Sequence, residues 1–265
     1  MIRLQFIIEK PYLAFLLINR FSKIKRDKDL KEVQSFEKII KDFKNNPYFY
    51  LLKINNLKHT EWGISKILLE HSLDKIGRET EQIIRAINRT DLFRSILQET
   101  EAYKREIELQ WKRNQKLLYG ALKSLLKEKD FSMTSKVVLV HPSFSVGKSF
   151  PENLIVYGHK EEWPNYNLVY LVHEFLHIIF YRYGIPNNRI SHALIELIAD
   201  NEIRFILNKK HSKTYFKEGR CSVGHPSLRL IEKQILPYWL EYLKNKRQGI
   251  IDFYNNLEEL LRNKS

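Results

Sequence analysis

Cysteine is almost absent: Cys221 is the only one in 265 residues. No internal disulfide can form, and neither an iron–sulfur cluster nor a cysteine-based zinc site can be assembled within one chain. Such a chain suits a reducing compartment, so the expected location is the cytoplasm. Long apolar runs are missing as well. The longest near the start is Tyr12 to Ile18, far short of the roughly 20 residues that cross a bilayer. No membrane span is expected. Glu9, Lys10 and Pro11 interrupt the N-terminal apolar stretch, and Asn19-Arg20 stands where a secretion signal would place small residues. Residues 1–18 therefore read as the first folded element.

Glycine and proline are sparse, at 9 and 8, while hydrophobic residues make up 43% of the chain. Collagen-like, low-complexity and disordered classes are excluded by that balance. Nothing repeats at a fixed period. Acidic residues are outnumbered, 31 to 45, which leaves a net charge of +14. An anionic partner such as nucleic acid would suit that surplus. The excess is diffuse, however, with 27 basic against 18 acidic residues in 1–135 and 18 against 13 in 136–265. Without a basic-aromatic motif, nucleic-acid binding is possible but not the favoured function.

What is present sorts into two textures. Residues 1–135 read as helical, with helices near 28–45 and 61–76 separated by a turn at Asn45-Asn46-Pro47. Gly77 and Gly120 bracket a stretch free of glycine and proline, in which Ile83, Ile84 and Ile87, then Leu92, Phe93, Ile96 and Leu97, recur at helical spacing. Thr90 or Asp91 would cap the long helix there. Tyr103, Trp111 and Tyr119 along it read as core or seam residues.

Residues 136–265 change character. Val137–Val140 and Leu154–Tyr157 read as two strands joined by a loop or hairpin. Beyond them come an apolar helix, a turn at Gly184-Ile185-Pro186-Asn187-Asn188, a second helix to about Asn208, a helix from about Ser227 and a last one at 249–262. Gly147-Lys148-Ser149 has the look of a phosphate-binding loop. That loop needs glycine where Pro142 stands and a helix where Pro151 and a strand-like run stand, so nucleotide binding is not expected.

The chemistry lies in 168–179, Leu-Val-Tyr-Leu-Val-His-Glu-Phe-Leu-His-Ile-Ile. His173, Glu174 and His177 are the only strongly polar groups on a helix apolar on every side. His173 and His177, four apart, project from one face about one turn apart. Burying them unpaired would cost several kcal/mol, and a cation held by neutral imidazoles removes that cost. The His-Glu-x-x-His spacing is the zinc-peptidase signature; the bland reading is a pair of core histidines bonded to backbone or tyrosine.

A third donor must come from elsewhere. In Leu194-Ile195-Glu196-Leu197-Ile198-Ala199-Asp200, Glu196 is surrounded by aliphatic residues and Asp200 lies four residues on. If the two helices run antiparallel about the Gly184 turn, Glu196 comes beside His173 and His177, completing a two-histidine, one-carboxylate zinc site. Asp200 would then accept the second N–H of one ligand histidine. His192 and Glu202 are fallback ligands.

His173-Glu174-Phe175-Leu176-His177 together with Glu196-Leu197-Ile198-Ala199-Asp200 resembles the gluzincin zinc metallopeptidases. The resemblance covers about 137–208. It implies a zincin-like unit at 136–265 with a small sheet beside the active-site helix; joined to the helical pattern of 1–135, a region of unknown role, this gives an expected fold that is α+β and predominantly helical. It implies zinc as cofactor, a peptide or protein substrate, and Glu174 as general base. It also implies an edge strand that pairs with substrate, matching 153–158, and a residue that hydrogen-bonds the oxyanion. His225 is the first choice for that residue, with Tyr215 and His211 behind it. Cys221 reads as incidental. A di-iron carboxylate bundle would need a second Glu-x-x-His element, which is lacking. The rival from another class is a non-catalytic or regulatory protein on a zincin-like scaffold.

Overall fold

The computed structural model describes residues 2–24, 30–44, 84–128, 132–208, 215–216, 223–245 and 248–262. The helix expected at 61–76, the Asn45-Asn46-Pro47 turn, His211 and Cys221 lie outside the described residues. The fold is α+β and 69% helical, with one small mixed sheet. In chain order the elements are β1 (Ile2–Ile7), α1 (Lys10–Ile24), α2 (Leu30–Lys44), α3 (Asp91–Leu126), β2 (Met133–Leu139), a 3-10 turn at Pro142–Phe144, β3 (Val146–Phe150) and β4 (Leu154–Gly158). After these come α4 (Tyr166–Arg182), α5 (Arg189–Glu196), a π-helical segment Leu197–Ile203, α6 (Arg204–Leu207), a 3-10 turn at Pro226–Leu228, α7 (Arg229–Lys244) and α8 (Ile250–Arg262).

By internal compactness the chain forms two units. One comprises Met1–Phe6, Glu106–Val137 and Gly147–Ser265; the other comprises Ile7–Arg105 and Val138–Val146. The first therefore draws on both sides of residue 135. The division falls inside α3, whose N-cap is Thr90: its Oγ1 accepts from the Phe93 N–H at 3.1 Å. Phe93, Ile96, Tyr103, Ile107, Trp111, Leu118 and Leu122 form the buried stripe of that helix. Gly120 does not end it, because tertiary packing of the stripe outweighs roughly 1 kcal/mol of unfavourable propensity.

In the second unit, α1 buries Leu13, Ala14, Leu16 and Leu17, and Phe21 meets Phe36 of α2 at 4.8 Å between ring centroids. Arg20 donates to the Phe144 carbonyl at 2.7 Å. His141 Nε2 stands 3.0 Å from the Glu99 carboxylate.

The first unit holds most of the sheet and the paired helices. The strand order is β1-β2-β4-β3. Two of these strands, β1 and β3, were not expected from the sequence. The three residues between β3 and β4 include Asn153 in the left-handed conformation (φ 62°), which closes a tight hairpin. β4 is thus flanked by β2 and β3. The expectation that 153–158 forms the substrate-pairing edge is overturned: among the described residues the edge strands are β1 and β3, and β3 is the one next to β4. Gly147, Lys148 and Ser149 lie within it, in a strand rather than a phosphate loop.

The helix α4 buries almost every residue from Tyr166 to Phe180. It ends in a left-handed turn at Gly184 (φ 70°), where the Ile185 N–H reaches back to the Phe180 carbonyl at 3.0 Å. That is a Schellman closure, which glycine makes without steric cost. Asn188 then caps α5. Its side chain accepts from the Ile190 and Ser191 N–H groups, while Ser191 Oγ accepts from the Asn188 N–H at 3.0 Å. These two motifs set the direction in which α5 leaves α4. No helix among the described residues is long and apolar enough to cross a membrane.

Candidate metal centre

Within the first unit, four histidines and a glutamate converge. His173 and His177, one turn apart on α4, bring their Nε2 atoms to 3.3 Å. Two nitrogens bound to one tetrahedral zinc at about 2.0–2.1 Å stand roughly 3.3–3.4 Å apart, so the separation suits a shared ion as well as it suits a hydrogen bond. The His192 ring of α5 meets His177 edge-on at 4.5 Å between centroids and lies 5.5 Å from His173. The donor atoms of His173, His177 and His192 all lie within 4.8 Å of one another.

A second group shares His192 and adds Glu196 and His225. Glu196 is only 1% exposed. Its Oε1 accepts from the His225 backbone N–H at 2.5 Å, lies 3.1 Å from His225 Nδ1 and 3.9 Å from His192 Nε2. The structure thus brings His173 and His177 together as expected, but the third donor gathered around them is the fallback His192. Glu196 joins the cluster through His192 and His225. The His225 side chain is 58% exposed and stands at the outer side of the cluster.

Glu174 is buried beside His173. It is hydrogen-bonded to Ser149 of β3, by side chain and backbone, with Lys148 near. Burial pushes its carboxyl up to about 7, partly offset by those contacts. Burial, reinforced by the neighbouring imidazoles, holds His173 well below the usual histidine range, His177 at about 3 and His192 at about 4. All three are neutral at pH 7, the form that ligates metal. Among the described residues His192 Nε2 is buried with no hydrogen-bond partner, which fits a site that wants a cation; His173 Nδ1, the ring nitrogen that does not face His177, is buried without a partner as well.

Asp200 departs from expectation. It is buried, but it does not hold His173 Nδ1, which has no hydrogen-bond partner among the described residues; its charge helps raise the carboxyls of Glu196 and of Glu232 on α7. The i, i+4 argument assumes an α-helix, whereas Asp200 sits in the π segment. One extra residue per turn rotates the side chains beyond it about the helix axis. All of Leu197–Ile203 is buried, including Asp200, Asn201 and Glu202 in succession. Glu202 lies away from the histidines: its Oε1 accepts from Trp239 Nε1 at 3.2 Å and from the Tyr215 hydroxyl. Tyr215 is therefore bound to Glu202 rather than turned to an oxyanion.

Sequence reasoning missed three participants. Glu232, buried and held by Arg229 at 3.1 Å, sets its carboxyl beside that of Glu196. Burial raises both carboxyls, with the Asp200 charge adding to it at Glu196 and the Glu196 and Asp200 charges adding to it at Glu232. Ser149 bonds Glu174, and Gly224 lies against Glu196. No local pattern links Glu232 to a partner 36 positions earlier in the chain.

A cavity of about 110 Å³ opens beside His177, lined largely by apolar groups including Phe150, Ile178, Ile185, Pro186 and Ile195, with Ser149 of the edge strand at its border. Compared with known proteins, the chain matches no family model, no curated protein and no solved structure.

Proposed function

We propose that the chain is a zinc-dependent metallopeptidase with Glu174 as general base. The observation that carries the reading is the 3.3 Å approach of His173 Nε2 to His177 Nε2 beside the buried Glu174. His173 and His177 would hold the ion, with a third donor from α5, either Glu196 or His192. Zinc bound there supplies a Lewis acid for the scissile carbonyl and an acidified water. Glu174, poised near neutrality by burial, accepts the proton of the attacking water on its carboxylate and delivers it to the leaving amine nitrogen. Ser149 fixes the orientation of that carboxylate. The edge strand β3 offers backbone hydrogen bonds to an extended peptide, and the apolar cavity beside His177 receives a side chain next to the scissile bond. His225, at the outer side of the cluster, is the donor nearest to hand for the developing oxyanion.

The testing experiment is metal analysis with peptide hydrolysis on the purified chain. One zinc per chain, cleavage of an unstructured protein such as casein, and loss of cleavage on chelation are expected. A metal-free chain inert after zinc loading would overturn the proposal.

A further inference from the structure

We propose that the third protein donor to the ion is His192 Nε2 and not the Glu196 carboxylate, so that the centre is built of three imidazoles. This rests on the metal reading above and departs from the two-histidine, one-carboxylate set that the motif implies.

Three observations carry it. First, His192 shares a single donor cluster with His173 and His177, every pair of donor atoms within 4.8 Å, whereas Glu196 is grouped only with His192 and His225. Second, the two candidates differ in what already occupies them. His192 Nε2 is buried and has no hydrogen-bond partner among the described residues. Glu196 Oε1 already takes the His225 N–H and faces His225 Nδ1, while the same carboxylate lies beside the Glu232 carboxyl and against Gly224. Ligation by Glu196 would break contacts that ligation by His192 leaves intact. Third, His192 and Glu196 are one turn apart on the same face of α5. A position of α5 that sets one donor level with the His173–His177 pair therefore leaves the other about one turn along the axis, and for Glu196 that place is beside His225. Glu196 then becomes a positioning residue: it fixes the backbone and ring of His225 at the outer side of the centre.

The consequence is a change in site charge. Three neutral imidazoles leave the full double charge of a bound divalent ion, where a carboxylate ligand would leave a single one. Both ligand sets are compatible with a tetrahedral centre with an open position.

The test is X-ray absorption on the zinc-loaded protein, which counts imidazoles around the metal, combined with zinc affinity by chelator competition. Three imidazoles are expected in the unmodified chain, in Glu196→Gln and in His225→Ala. His192→Ala is expected to lose an imidazole and weaken zinc binding by about 100-fold or more, beyond the 10–100-fold typical of outer contacts. Glu196→Gln is expected to stay within about tenfold. Two imidazoles in the unmodified chain, or three retained in His192→Ala, would overturn this assignment while leaving a zinc site in place. A chain that takes up no zinc at all would instead remove the metal reading beneath it.

Discussion

Gly224 lies so close to Glu196 that a β-carbon built on it would stand 2.4 Å from the Glu196 Cδ and 2.5 Å from Oε2. No real side chain tolerates that approach, and the carboxylate cannot retreat freely because Glu232 and His225 hold it. Gly224→Ala is therefore expected to cost about 1–3 kcal/mol by overpacking and to lower the melting temperature by several degrees. An unchanged thermal melt would show that the loop at 223–225 yields without resistance.

Glu174→Gln keeps the size of the side chain and one oxygen to accept from Ser149, but removes its basicity. Zinc content should stay at that of the unmodified chain, while peptide hydrolysis falls by about 100-fold or more. Retained turnover, measured on the zinc-loaded variant, would return the reading to a non-catalytic scaffold.

The cavity beside His177 predicts selectivity for substrates. Peptides with a bulky apolar side chain next to the cleaved bond should be preferred. Ile195, buried at its wall, is the residue to enlarge. Ile195→Phe should move the ratio of kcat/KM for a leucine over an alanine substrate toward alanine by about tenfold. An unaltered ratio would place the side chain elsewhere.

Alkaline pH provides a test remote from the histidines. Burial, with Glu128 adding to it, pushes the Tyr183 hydroxyl up to about 12, against roughly 10 in an unfolded chain. The folded state thus favours neutral tyrosine. Its contribution is fully present below pH 10 and is lost as pH rises toward 12. Denaturant melts of Tyr183→Phe should fall less steeply over that window than those of the unmodified chain. Identical slopes would show that Tyr183 ionises without strain.

Much of the site was legible because one helix carries it. A run as apolar as Leu168–Ile179 has to be buried, and His173, Glu174 and His177 interrupt it at spacings that α geometry alone places on one side. The turn at Gly184 and Asn188 was legible for the same reason: left-handed and capping positions select their residues locally. The predominantly helical α+β class came from periodicity. The edge strand was misread because Leu154–Gly158 looks like any other apolar strand. Its position in the sheet depends on β2 and β3 pairing on either side of it.

The sequence by itself determined that a buried helix would present two imidazoles and a carboxylate, since periodicity and burial are local properties of the chain. Tertiary structure alone decided which side chain of the next helix meets them. That choice turns on the position of α5, set by the Schellman closure and capping box before it, the π segment after it, and the contacts of Gly224, His225 and Glu232 from 28 to 36 residues beyond Glu196. A shift of α5 by about one turn along its axis would exchange His192 for Glu196, and only the packing of distant segments fixes that position.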